Sequence, residues 1–272
     1  MVKVNIRDKN FIGEPSSCHK GTNVFVEWEF GNIPVSKSCF ITDMCLGDVV
    51  KAKGVKRKIA WILEPRAIHP FAYNWIEQNN KLFDFVLTFD TDLLNKGENY
   101  LFYPHGRCWI NNYVNLPKLN KTSIIASVKN QTVGHQLRHK VISSLGSKID
   151  VFGNGYKTIE EKEEALSKYK FSITIENSIQ SGYWTEKIVD CFATKTIPLY
   201  WGDNSVNEHF NKEGIIYFNS LEELNSLMNE IEMNGDLIYE NKINAIEENF
   251  NKVNRYRIPE DWIYVNYPFL FN

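Results

Sequence analysis

The stretch FSITIENSIQSGYWTEKIVDCFATKTIPLYWGD, residues 171–203, constrains the fold more than any other part of the chain. Its first residues alternate as a strand does and break at Ser181-Gly182. A short apolar helix follows, then a second apolar run ending in Trp-Gly-Asp. Strand, helix and strand at this spacing call for a parallel sheet with a crossover helix. The junction also carries Glu176, Asn177, Glu186 and Lys187 between two strands that read as buried. Such groups must be solvated, paired, or held for a ligand.

The same alternation runs along most of the chain. TNVFVEWEF, KSCFITD, RKIAWILEP and FDFVLTFD read as strands, with a helix at PFAYNWIEQNN between the last two. NLPKLNKTS, residues 115–123, reads as a polar, proline-bearing linker. The pattern then restarts: strand SIIASV, a helix over 134–145 with Leu137, Val141 and Leu145 on one face, strand IDVFG and an acidic helix TIEEKEEALSKY. The 171–203 unit follows, then strand GIIYF and a helix SLEELNSLMNEIE with Ser220 and Glu223 at capping-box spacing. The reading is an α/β protein in two halves. Residues 1–115 form an N-terminal domain and residues 120–245 a C-terminal one. An aromatic tail over 246–272 packs back on them.

Composition excludes several classes. A net charge of −2 gives no basis for bulk nucleic-acid binding. The five cysteines are odd in number and contain no CxxC pair, which points to reduced thiols and not to a disulfide framework or a zinc site. The N-terminus lacks a signal-peptide pattern, and no apolar run is long enough to span a membrane, so the expectation is a soluble, cytoplasmic protein. GxGxxG and GxxxxGK[ST] are absent. The 14% aromatic content suits large cores or sugar-stacking platforms.

Individual residues narrow the chemistry. The helix expected near Thr185 opens after a strand and a flexible Ser-Gly, and such an N-terminus is an anion site. Lys187 in its first turn is unfavourable for the helix dipole unless an anion compensates; a diphosphate would do so, and Glu186 could also offset it. Asn177, at a strand end, can bond a ribose or sugar hydroxyl or hold the turn. Arg138, early in its helix, can pair with phosphate bidentately or lie solvated. Glu64, after an apolar strand and before Pro65, is either a general base facing a crevice or an exposed turn acid. Asp90 and Asp92 spell a DxD pattern found at metal sites, but aspartates closing a strand are ordinary turn formers. His105, His135 and His139 are too few and dispersed to make a triad.

The string YKFSITIENSIQSGYWTEKIVDCFATKTIPLYWGD resembles the donor-binding segment of family 10 glycosyltransferases, the α-1,3/1,4-fucosyltransferases. That family's pattern is a Phe/Tyr-Lys-Phe opening, an E-N-S, a G-Y-x-T-E-K and an I-P-(V/L)-Y-x-G, and all four elements stand here in order. ASVKNQTVGHQLRHKVISSL is similar to the segment whose arginine contacts the donor diphosphate, which assigns that role to Arg138. VFGNG resembles the strand and glycine that follow. WILEP resembles the Glu-Ser-Pro segment that carries the catalytic base, with Glu64 in that position and the serine missing. Residues 1–60 show no such likeness.

The resemblance implies a GT-B architecture: two Rossmann-like α/β domains facing a central cleft. It further implies inverting, metal-independent transfer of fucose from GDP-fucose to a hydroxyl of a glycan. Glu64 would be the base, and no cofactor or metal would be needed. Arg138 and Lys187 would neutralise the leaving diphosphate, Tyr183 and Glu186 would contact the nucleoside or sugar, and Glu176 and Asn177 would bind donor hydroxyls. Two other readings stay open. One changes the substrates to another nucleotide sugar or a non-glycan hydroxyl such as a modified nucleobase. The other is a non-catalytic binder of sugar nucleotides or glycans.

Overall fold

A computed structural model describes residues 1–11, 14–18, 23–30 and 37–271. Thr22 and Asn272, at the ends of two predicted segments, lie outside them. The chain divides into two compact units, Met1–Arg107 with Gln180–Tyr183 and Arg255–Asn272, and Cys108–Ile179 with Trp184–Asn254.

Among the described residues the first unit holds six strands: β1 (Val2–Arg7), β2 (Val26–Phe30), β3 (Ser38–Thr42), β4 (Arg57–Trp61), β5 (Phe85–Thr88) and β6 (Tyr100–Phe102). Helix α1 (Pro70–Asn79) joins β4 to β5, and the short α2 (Thr91–Leu94) joins β5 to β6. All pairings are parallel, in the order β2-β1-β3-β4-β5-β6. Parallel strands buried on both faces read as near-continuous apolar runs. β3 is such a strand, with every residue buried. One face of the sheet packs an aromatic core in which Trp28, Phe40, Trp61 and Phe11 meet edge-on or tilted at 5.2–6.3 Å.

The second unit holds β7 (Leu119–Ile125), β8 (Asp150–Phe152), β9 (Tyr169–Ile175), β10 (Ile197–Trp201) and β11 (Ile216–Tyr217). Its helices are α3 (Val133–Leu145), α4 (Glu163–Leu166), α5 (Glu186–Ala193), α6 (Leu221–Asn241) and α7 (Ile243–Lys252). The sheet is again all parallel, ordered β11-β10-β9-β7-β8. Its core is mostly aliphatic, with Ile124, Val141, Ile173, Ile197 and Leu199 fully buried or nearly so. In both sheets the first strand lies between the second and the third. The chain therefore reverses direction across the sheet there, and in sheets of this order a crevice lies at the carboxyl ends of the first and third strands.

Two local readings change. The polar stretch expected as a linker becomes strand from Leu119 onward, because pairing with β9 satisfies its backbone whatever its side chains prefer. The acidic helix expected over 158–169 shrinks to four residues. The Glu164 carboxylate accepts the Glu160 and Glu161 N–H groups at 2.8 and 3.0 Å, a local alternative to the helical ladder.

The aromatic tail carries α8 (Pro259–Asn266), whose Ile263 joins Leu270 and Phe271 in the core of the first unit. Glu260 is fully buried there, accepting from the Ser17 N–H at 2.5 Å and the Trp28 indole at 3.2 Å. No described helix is long and apolar enough to cross a membrane. All five cysteines are buried and no disulfide joins them.

Candidate active site

In the second unit a cavity of about 360 Å³ opens at the carboxyl ends of β7, β8 and β9. That is the crevice the strand order predicts. Ser127 and Lys129 line it after β7, Gly153 and Asn154 after β8, and Asn177 after β9. The starts of α3 and α5 complete it with His135, Arg138, Glu186 and Lys187. Four cations (Lys129, Arg138, Lys162 and Lys187) stand against two carboxylates, Glu186 and Asp190. The surplus of positive charge and two helix N-termini favour an anion.

Close backbone approach builds the walls. A Cβ on Gly134 would stand 1.8 Å from the Glu176 carbonyl oxygen, so only glycine lets α3 start against the end of β9. The Gly134 N–H donates to the Asn177 carbonyl at 3.1 Å across that contact. A Cβ on Gly153, at φ +113°, would stand 2.1 Å from the Ala126 carbonyl oxygen just past β7.

Arg138 is buried, not solvated. Its guanidinium donates to the Ile175 carbonyl and, at 3.2 Å, to the Asn177 Oδ1. These bonds hold the side chain against the cavity and fix the amide of Asn177 beside it. Thr185 caps α5, accepting the Lys187 N–H. Glu176 is fully buried and does not line the cavity. Its carboxylate accepts from the Thr185 N–H at 2.9 Å, the Thr185 hydroxyl at 2.8 Å and the Lys187 Nζ at 3.2 Å. A carboxylate so placed is committed to the cap and to Lys187. Its geometry is that of an anchor, where direct bonding to donor hydroxyls was expected. Lys187 also lies 3.7 Å from Glu186 and keeps about a quarter of its side chain exposed.

Tyr183, expected at the nucleoside or sugar, is only 1% exposed and does not line the cavity. Its ring packs against Phe89 and His105 at 5.4 and 5.3 Å in the first unit. An aromatic side chain packed on several faces is held by the core and has no free face for a ligand.

A second polar cluster was not visible in the chain. Lys162 lies 2.6 Å from Asp190 and 3.8 Å from Glu186, with its ammonium 4.2 Å over the Trp109 ring. Asp190 also accepts the Trp109 N–H at 2.7 Å. Burial pushes the Asp190 carboxyl up, against the Lys162 charge. Asp190 follows Glu186 by one helical turn, so a charge on the apolar face of α5 was a usable signal. Lys162 offered none, because it comes from a distant segment.

In the first unit, Glu64 is half-buried three residues past β4. Its N–H donates to Asp43 Oδ2 at 2.9 Å, its carbonyl accepts from the Tyr73 hydroxyl at 2.9 Å, and the Leu63 N–H donates to Asp43 Oδ1 at 2.8 Å. Burial pushes the Asp43 carboxyl up to about 8, and the neighbouring Glu64 adds to the rise. Asp90 caps α2, pairs with Arg66 through two bonds of 3.0 Å and accepts from Gln180 at 2.9 Å. Its carboxylate is thus committed to a helix cap and an ion pair, and Asp92 is exposed.

Residues 118–241 match the model of the C-terminal domain of glycosyltransferase family 10 (fucosyltransferase). The α-(1,3)-fucosyltransferase FucT of Helicobacter pylori is 32% identical over 135 positions, covering 43% of this chain and 28% of that protein. A putative fucosyltransferase of Acanthamoeba polyphaga mimivirus is 27% identical over 142 positions, covering 46% of this chain and 24% of its own. The matches therefore span under a third of either relative. A crystal structure of an α1,3-fucosyltransferase aligns over 91% of this chain and 80% of its own, with a TM-score of 0.58 at 20% identity. T4 phage BGT, solved with its UDP-glucose substrate, aligns over 99% of both chains with a TM-score of 0.56 at 14% identity. These alignments take in both units, and the fold is GT-B. By motif and family model, residues 118–241 are similar to the C-terminal domain of family 10 glycosyltransferases, and the fold is shared with a solved α1,3-fucosyltransferase.

Proposed function

We propose that this chain transfers fucose from GDP-fucose to a hydroxyl of a glycan, inverting the anomeric carbon and needing no metal. The observation that carries the reading is the cationic cavity of the second unit, whose lining residues other than Trp109 lie within the segment matching the fucosyltransferase domain. A sugar nucleotide carries two negative charges on its diphosphate; the four lining cations outnumber the two lining carboxylates, and Glu176 behind Lys187 offsets part of that surplus. Arg138 and Lys187 bind the diphosphate and stabilise the charge that grows on GDP as it leaves. Asn177 and Glu186 bond donor hydroxyls, and Glu176 positions Lys187. A solved α1,3-fucosyltransferase with GDP-fucose shares the fold.

Glu64 takes the proton of the acceptor hydroxyl. The hydroxyl oxygen forms its bond to the anomeric carbon from the face opposite the diphosphate. The bond from that carbon to the phosphate oxygen breaks, and its electron pair leaves with GDP. Two cations then do what a divalent metal does elsewhere.

A second reading keeps the chemistry and changes the donor. The T4 phage protein solved with UDP-glucose matches this chain along its whole length, without a large size difference. Calorimetric titration with GDP-, UDP- and CMP-sugars, with and without EDTA, separates the two. Binding of a UDP-sugar in preference to GDP-fucose would move the assignment to the second reading. A strict need for Mn or Mg would end the metal-independent mechanism.

A further inference from the structure

His135 is the third residue of α3, its N–H accepted by the capping hydroxyl of Thr132 at 3.2 Å. Its side chain is 6% exposed and lines the cavity. Its Nδ1 is shut away from solvent with no hydrogen-bond partner among the described residues. The neighbouring polar groups are satisfied: Arg138 by Ile175 and Asn177, and His139 by the Tyr156 hydroxyl at 3.0 Å and the Lys129 carbonyl at 2.9 Å. A buried polar nitrogen left alone beside paired neighbours points to a partner that arrives with a ligand.

Three cations bear on this imidazole: Arg138 of its own helix, Lys129 from the loop after β7 and Lys187 from the first turn of α5, with the His139 ring also nearby. Burial first, and these charges after it, lower the imidazole to about 4, so the ring is neutral at pH 7 and carries one N–H donor. A neutral donor adds a bond to an anion without adding to the repulsion among the cations already there. A half-turn about the Cβ–Cγ bond can present either ring nitrogen.

We propose that His135 is a further donor-binding residue, its imidazole donating to a diphosphate oxygen beside Arg138 and Lys187. The assignment rests on the function proposed above. It adds a consequence that Arg138 and Lys187 cannot produce. A bound diphosphate offsets the cations that depress the ring, so the imidazole becomes easier to protonate. In mildly acid solution the complex therefore takes up a proton that the empty protein does not hold.

The test is calorimetric titration of the full chain with GDP-fucose, whose diphosphate diester has no group titrating near neutrality. Wild type, His135→Ala, His135→Gln and Arg138→Ala are compared in buffers of differing ionisation enthalpy. His135→Ala should bind about tenfold more weakly with an unchanged or higher Tm, since it deletes an unsatisfied group. His135→Gln, which keeps a donor, should lose less. Wild type should take up protons on binding at about pH 5.5 and not at about pH 8, and both variants should not. Unaltered affinity in His135→Ala beside weakened binding in Arg138→Ala overturns the role of His135 and leaves the donor site standing. Proton uptake that persists in both variants also overturns it. Absence of binding to wild type overturns the donor site itself.

Discussion

The two units share the order of their first five strands and use their strand ends differently. In the first unit, acids beyond the carboxyl ends of strands hold backbone. Asp8 accepts the Asn10 and Phe11 N–H groups, Asp43 those of Leu63 and Glu64, and Asp90 that of Leu93. In the second unit Glu176, past β9, likewise accepts the Thr185 N–H, but the strand ends around it carry glycines, an amide and cations lining a cavity. Topology places a crevice in such sheets; the side chains at the strand ends decide whether it is closed by carboxylate clamps or left open and positive for an anion.

The largest effect should come from separating chemistry on the first unit from binding on the second. Glu64→Gln should lower turnover by roughly 10²- to 10⁴-fold, as loss of a general base does, while GDP-fucose affinity stays near wild type. Steady-state kinetics beside donor titration reads both. Unchanged turnover would remove Glu64 from the mechanism, and a donor-binding protein with no turnover in wild type would favour the non-catalytic reading.

Arg138→Ala and Lys187→Ala should each weaken donor binding by about 10- to 150-fold, the weight of one charge-assisted bond. Turnover should fall with affinity, since charge builds on the leaving diphosphate. Both should also destabilise the protein by about 1–3 kcal/mol, because Arg138 satisfies the end of β9 and Lys187 is an ion-pair partner of the buried Glu176. Thermal melts beside the titrations separate the two losses. Wild-type affinity in both variants would show that the cavity does not hold the diphosphate.

Glycine exchanges sharpen the contrast in shape. Gly134→Ala forces a Cβ into the Glu176 carbonyl and should cost about 1–3 kcal/mol or more, with donor binding lost as α3 moves. Gly47→Ala, in the first unit, meets nothing within 4 Å and should stay within about 0.5 kcal/mol of wild type. Urea denaturation compares them, and equal stability of the two variants would contradict the packing described.

The smallest effect expected is in pH dependence, where the units differ in sign. The Asp43 carboxyl is raised to about 8 from an ordinary 3.8, so the folded protein binds the extra proton. Its contribution is fully present below about pH 4 and is lost as pH rises through 8. In the second unit, burial lowers the Lys118 ammonium to about 7, although it donates to four oxygens at 2.6–3.3 Å. Its contribution is present above the ordinary lysine range and is lost as pH falls toward 7. Relative to wild type, Asp43→Asn should gain in Tm as pH rises from 5 to 8, by a few degrees. Lys118→Met should lose ground between about pH 7 and 10. Parallel Tm curves for variants and wild type would mean that neither group shifts on folding.

The parallel α/β plan and the family likeness of 171–203 were legible in the chain because they rest on local periodicity and on one long motif. Apolar runs of strand length alternating with amphipathic helices admit few sheets, and 171–203 carries strand, cap and helix in contiguous order. Arg138 was legible as a candidate because it sits one turn into a helix after a strand. What the chain could not disclose depends on contacts between distant segments. Nothing local marks Lys162 as the partner of Asp190, twenty-eight residues on, or turns Glu176 inward to Thr185 and Lys187. Tyr183 reads as part of the donor motif, and packing assigns it to Phe89 and His105. His135 looked like one scattered histidine until folding buried it among cations in the cavity wall. Residue type and spacing determine which elements form; burial, pairing and charge at a site arise only when the sheet brings its strand ends together.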